Sequence, residues 1–164
     1  MPLPAPSLRC RMAAFLYEGV LLFGVTFFAG FLYATLTQQR HALQGHAGLQ
    51  AVVFLVLGLY FAWFWSHGGQ TLAMKTWRIR LVSASGGPVA PMRALCRYLA
   101  SWVWLLPPLG LAFALHGGRS GGVVTLVMLL WIGAYALSSF LQPQRQFWHD
   151  VLCGTRLVNV EDPR

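Results

Sequence analysis

Arg11-Met-Ala-Ala-Phe-Leu-Tyr-Glu18 opens a stretch, Met12 to Leu36, in which Glu18 is the one charged residue. At about 1.5 Å per residue, such a stretch crosses a hydrocarbon core about 30 Å thick with some tilt, and it exceeds the roughly 7–15-residue apolar region of a cleaved signal peptide. It reads as a retained first membrane helix. Two helical turns separate Arg11 from Glu18, so both lie on one stripe about 10 Å apart along the axis, one at the membrane mouth and one inside. An ionisable group at that depth costs about 2.5–3.5 kcal/mol on insertion scales, which marks it as a functional or structural polar site. Glu18 is the residue to explain.

The rest of the chain has the same character. Of 164 residues, 57% are apolar or aromatic and 10% are charged, with a mean hydropathy of +0.57; a soluble domain carries about 25% charged residues. The expected fold class is an all-α membrane protein, a single domain over 1–164 with spans at about 12–36, 49–66, 98–115 and 123–141. Pro2, Pro4 and Pro6 make the first ten residues an extended arm. Tyr60, Trp63 and Trp65 fall where the second span reaches an aromatic belt. The net charge of +8 does not point to nucleic acid, because the basic residues flank apolar runs and form no aromatic-interleaved patch.

His67 to Arg97 is the long connection, with Lys75, Arg78, Arg80, Arg93 and Arg97 and no acidic residue. Within it, Thr76 to Val82 sets Trp77, Ile79 and Leu81 against Arg78 and Arg80, and Gly86-Gly87-Pro88 follows. The period of two predicts a short cytoplasmic β-like segment and a turn between the second and third spans. From Pro91, the apolar positions Met92, Leu95, Cys96 and Leu99 oppose Arg93 and Arg97, an amphipathic helix leading into the third span. Pro107-Pro108 is expected to kink or interrupt that span. Thr155 to Val160 alternates again and is a pairing partner for the earlier strand. Of the 12 Lys and Arg residues, all but Arg40 and Arg119 lie in the arm, the long connection or the tail, so the positive-inside rule puts both ends in the cytoplasm.

Three stretches together resemble the RDD family of small membrane proteins, named for one arginine and two aspartates. Arg11-Met-Ala-Ala-Phe-Leu-Tyr-Glu18 resembles its Arg-x-x-Ala-x-x-x-Asp opening, with Glu in place of the usual Asp. Gly69-Gln-Thr-Leu-Ala-Met-Lys75, then Arg78-Ile-Arg-Leu-Val82, Gly86-Gly-Pro88 and Arg93-Ala-Leu-Cys-Arg97, resemble its Gly-Gln-Thr-x-Gly-Lys segment, strand, turn and arginine-bearing helix, with Ala73-Met74 where a small Gly is usual. Arg145-Gln-Phe-Trp-His-Asp150 running into Gly154-Thr155 is similar to its closing His-Asp-x-x-x-Gly-Thr. The resemblance implies that Arg11, Glu18 and Asp150 take the three name-giving roles. It also implies transport, with cation/proton antiport associated with some members.

Arg11, His67, Lys75, Arg93, Arg97 and Asp150 are all expected at the cytoplasmic mouth, with Glu18 two turns inside, and they can form one cluster. One reading is a structural lock of ion pairs that ties the first helix to the tail and the long connection. The other is a proton or cation site in which Glu18 takes and releases a proton, desolvation and a nearby arginine acting on it in opposite senses. His41, His46, His67, His116 and His149 share no spacing and no paired carboxylates, so no metal site is expected. Cys10, Cys96 and Cys153 read as reduced thiols. No nucleophile elbow, phosphate loop or zincin signature points to an enzyme, and no cofactor is implied. Two functions stay open: a transporter, which at this size needs to be a homo-oligomer, and a non-catalytic subunit that docks a membrane protein partner. The lipid bilayer is the common partner, and a bacterial inner membrane the expected location.

Overall fold

The computed structural model describes residues 5–38, 46–116 and 120–160. Arg40 and Arg119, on which the loop asymmetry partly rests, lie outside the described residues, as does His41.

Four helical stretches are long and apolar enough to cross a membrane: Leu8–Leu36, Ala47–Ser66, Pro91–Leu115 and Gly121–Leu141. Helix α1 is Leu8–Leu36, started by Ser7, whose hydroxyl accepts from the Cys10 N–H. Its buried residues are Arg11, Ala14 and Glu18, spaced as one stripe, while the rest of its surface carries exposed Phe and Leu. Helix α2 is His46–Ser66. The third span is broken: α4, Pro91–Ser101, runs into a 3-10 turn, Trp102–Trp104, before α5, Leu106–His116. The break sits just ahead of Pro107-Pro108, which occupy the first turn of α5, where a proline's missing N–H leaves no helical bond unmade. Helix α6 is Gly121–Ser138, closed by a 3-10 turn at Ser139–Leu141.

Outside the spans lies a small subdomain that joins the middle of the chain to its tail. It comprises α3 (Leu72–Thr76), β1 (Ile79–Ser83), α7 (Trp148–Leu152) and β2 (Thr155–Asn159). The strands pair antiparallel with Leu81 opposite Leu157, as the two alternating stretches predict. The first strand begins at Ile79 rather than Thr76, because Leu72–Thr76 forms a helical turn capped by Thr71 and Trp77 closes that turn. Ile79, Leu81 and Leu157 face the same core as Trp65, Met74 and Tyr98.

Two glutamines from the quoted motifs clamp this sheet. The Gln70 amide donates to the Ile79 carbonyl at 2.8 Å. Gln146, 2% exposed, both donates to the Leu157 carbonyl at 3.0 Å and accepts from the Leu157 N–H at 2.9 Å. Such side chains complete backbone hydrogen bonds that a two-stranded sheet leaves open at its edges. Gly69 is held at φ +72, its carbonyl accepting from the Leu81 N–H at 2.7 Å; a Cβ there would collide with the Leu81 carbonyl, so the motif needs glycine at this position.

Candidate functional site

The stripe on α1 packs against α2 and α3 and reaches Ser139 and Phe147 at the subdomain end of the bundle, and each charged residue there has a different environment. Glu18, 8% exposed, accepts from the Tyr60 hydroxyl at 2.7 Å and from the Thr71 hydroxyl. Thr71 is fully buried, and its oxygen also accepts from the Met74 N–H at 3.3 Å, so one hydroxyl both caps α3 and holds the carboxyl. The lock reading, in which an arginine of the cluster would pair with Glu18, is corrected: its hydrogen-bond partners are neutral hydroxyls from α2 and from the residue capping α3.

The ion pair at this end is Arg97 with Asp150. The Arg97 Nε donates to the Asp150 Oδ1 at 2.7 Å, with the Arg97 residue 7% and Asp150 0% exposed, and the guanidinium lies 4.1 Å from the Trp65 ring centroid. Arg11, 3% exposed, donates through Nη2 to the Ser139 hydroxyl at 3.4 Å and lies 4.4 Å from the Phe147 ring centroid. Its Nε and Nη1, like the Asp150 Oδ2, are buried without a hydrogen-bond partner among the described residues.

The remaining members of the expected cluster are elsewhere. Arg93 is exposed and donates to the Ser83 hydroxyl at 2.7 Å, tying α4 to β1. Lys75 is exposed in the last turn of α3. His67 is exposed and stacks on Trp63 at 3.9 Å. All three are exposed side chains outside the buried α1 stripe. The apolar positions of α4 oppose Arg97 as the sequence pattern predicts, Met92, Leu95 and Leu99 being exposed while Ala94, Arg97 and Tyr98 are buried, but Arg93 does not turn in with Arg97. In lipid the outward face is the apolar one, so the cation turns in to its counter-ion. The aromatic belt is likewise split, Trp63 facing out and Trp65 facing the core.

His149, the histidine of the closing motif, is buried at the centre of this end. Its Nδ1 accepts from the Tyr135 hydroxyl at 2.9 Å, that hydroxyl accepts from the His149 N–H at 3.2 Å, and its Nε2 lies 3.5 Å from the Asp150 Oδ1. This pattern assigns the proton of the neutral ring to Nε2. Burial pushes the imidazole down to about 4, the Asp150 charge opposes that shift, and Arg97 adds to it. The ring is therefore neutral at physiological pH. Because the folded value lies below the unfolded value near 6.5, the unfolded chain binds the extra proton first. The penalty is absent above about pH 6.5 and grows to about 3 kcal/mol as pH falls to about 4. Thermal unfolding scanned from pH 7.5 to 4 should show this loss, and a His149→Gln variant should lose less stability across the same window.

A cavity of about 220 Å³ opens between α1, α2 and α4, with Arg11, Glu18, Arg97 and His149 in walls that are otherwise largely aromatic and aliphatic. Among the described residues no group of three His, Cys, Asp or Glu side chains gathers to hold a metal.

Compared with known families, residues 5–154 match the RDD family. The chain belongs to the RDD family. Neither a curated protein nor a solved structure matches it. In this RDD protein the opening arginine and the closing aspartate are both buried at one end of the bundle, while the acidic residue of the first motif faces a cavity rather than either of them. With its four apolar helices, the RDD chain is a multi-pass membrane protein in contact with the lipid bilayer.

Proposed function

We propose that this is a proton-linked membrane transporter in which Glu18 is the proton-exchanging group and the Arg97–Asp150 pair is the structural lock. The observation that carries the reading is the division of partners. Asp150 holds an arginine directly, whereas Glu18 lines a cavity and is held by two hydroxyls, which can serve a carboxyl in either protonation state. A carboxyl fixed by a guanidinium would be an anchor; one held by rotatable hydroxyls can gain and lose a proton without breaking the fold. Cation/proton exchange is the narrower form of this reading, and an enclosed path through four spans calls for a homo-oligomer.

Infrared pH-difference spectra in lipid bilayers test the proton site without knowledge of the cargo. A protonated-carboxyl band that appears with falling pH should be present in the wild type, shifted in Glu18→Asp and missing from Glu18→Gln. The Gln variant should accumulate and melt like the wild type. A band unchanged in Glu18→Gln would overturn the assignment. Cation exchange is tested separately by proton movement into proteoliposomes under sodium or potassium gradients, expected to fall at least tenfold in Glu18→Gln.

The orientation proposed with this function puts the subdomain and both chain ends in the cytoplasm, in a bacterial inner membrane. Lys75, Arg78, Arg80 and Arg93 gather at the subdomain end, which supports it. An alkaline phosphatase fusion near Ser85 should be inactive and one near Gly45 active. A docking subunit is the alternative, and a stoichiometric foreign membrane protein co-purifying in mild detergent, with no carboxyl band, would favour it.

A further inference from the structure

We propose that the cavity binds a small organic monoanion, an apolar body of about one ring with a carboxylate head directed to Arg11. This rests on the proton-linked reading above for the transport step alone, and it replaces the cation of that reading's narrower form with an organic anion as the cargo.

The argument starts from charge. Arg97 has its carboxylate at 2.7 Å, and Glu18 is held by hydroxyls, but Arg11 has no carboxylate at hydrogen-bond distance. It is 3% exposed, its Nε and Nη1 have no hydrogen-bond partner among the described residues, and what holds it is one long bond to Ser139 and the face of Phe147. Two guanidinium groups thus share one carboxylate, Asp150, and with Glu18 protonated the site carries an excess positive charge. A buried cation with unmade hydrogen bonds is costly, and an anion that accepts them relieves the cost. Around Arg11 the site offers N–H donors, where a metal cation needs oxygen ligands.

The walls select the body of the ligand. Leu57, Phe61, Trp65, Tyr98, Trp102 and Trp104 leave little to replace the water around a bare inorganic anion. A cavity of about 150 Å³ lined by Leu, Ile and Phe admits benzene; here about 220 Å³ is available, room for a ring and a carboxylate.

The test is binding to the full chain in nanodiscs of zwitterionic phosphatidylcholine, read by calorimetry with benzoate, benzyl alcohol, benzylammonium and inorganic phosphate as probes. Benzoate should saturate and bind at least tenfold tighter than the other three. Arg11→Gln should erase that preference and Arg11→Lys keep most of it. Arg11→Gln also alters a buried charge of the fold, so a second variant, Ser101→Phe, which leaves Arg11 intact and fills the cavity, should likewise abolish benzoate binding. Equal affinity for benzoate and benzyl alcohol, tighter benzylammonium, or preference for phosphate would each overturn the proposal. So would loss of benzoate binding on adding phosphatidylglycerol, which would make a lipid headgroup the ligand. Benzoate binding without the Glu18 carboxyl band would leave the anion site standing and remove the proton-linked function; the band without benzoate preference would do the reverse.

Discussion

Asp150→Asn is expected to destabilise the protein by about 3–5 kcal/mol, measured as chemical or thermal unfolding in one detergent beside the wild type. The aspartate is fully buried and its Oδ1 takes the Arg97 Nε at 2.7 Å, so an amide keeps the shape but leaves two buried guanidinium groups with no counter-charge. The charge, rather than the hydrogen bond, carries the effect. The double variant Arg97→Met with Asp150→Leu removes one cation together with the carboxylate and should recover part of the loss, since a buried pair replaced by apolar side chains of similar size is often neutral while Arg11 stays uncompensated. A double variant as unstable as Asp150→Asn would show that packing around α7 rather than charge is responsible.

Thr71→Val is expected to cost about 2–4 kcal/mol, from the lost cap on α3 and from a Glu18 oxygen left without its donor. The substitution keeps the shape of the side chain at a site with 0% exposure, so the hydroxyl alone is tested. Thr71→Ser keeps both hydrogen bonds and should recover most of the stability. Unfolding of the three proteins in the same detergent decides it, and a Val variant as stable as wild type would mean that the Thr71–Glu18 contact contributes nothing net.

The spans were legible because length and apolarity alone define them, and the strand pair because alternation in Ile79 to Leu81 and Thr155 to Val160 survives tertiary packing. The break before Pro107 followed from backbone chemistry. What sequence reasoning missed depends on which way a helix turns. Arg93 and Arg97 share one side of α4 in the sequence pattern, yet Arg93 is exposed beside Ser83 while Arg97 is buried on Asp150, and the helical period alone does not separate them. Glu18 carried a signal, a carboxylate within a span, yet its partners come from Tyr60 on α2 and Thr71 before α3, whose approach no local pattern encodes. The short helices α3 and α7 lack the length to show a period. Gln70 and Gln146 stood in the quoted motifs, and a polar side chain next to an alternating stretch was the signal available for their clamping role.

The strand pairing also sets a timetable for biogenesis. Ser83 pairs with Thr155, 155 minus 83 or 72 residues later, and translation at about 5–20 residues per second separates the two by roughly 4–14 s. For that interval the nascent chain displays an unpaired strand edge, and Arg97 awaits Asp150, which is made shortly before β2. The ribosome therefore delivers the keystone last: the third and fourth spans must be threaded into the bilayer before the early segments can close, and a chain stalled ahead of Asp150 keeps an open edge and an uncompensated cation for quality-control factors to find.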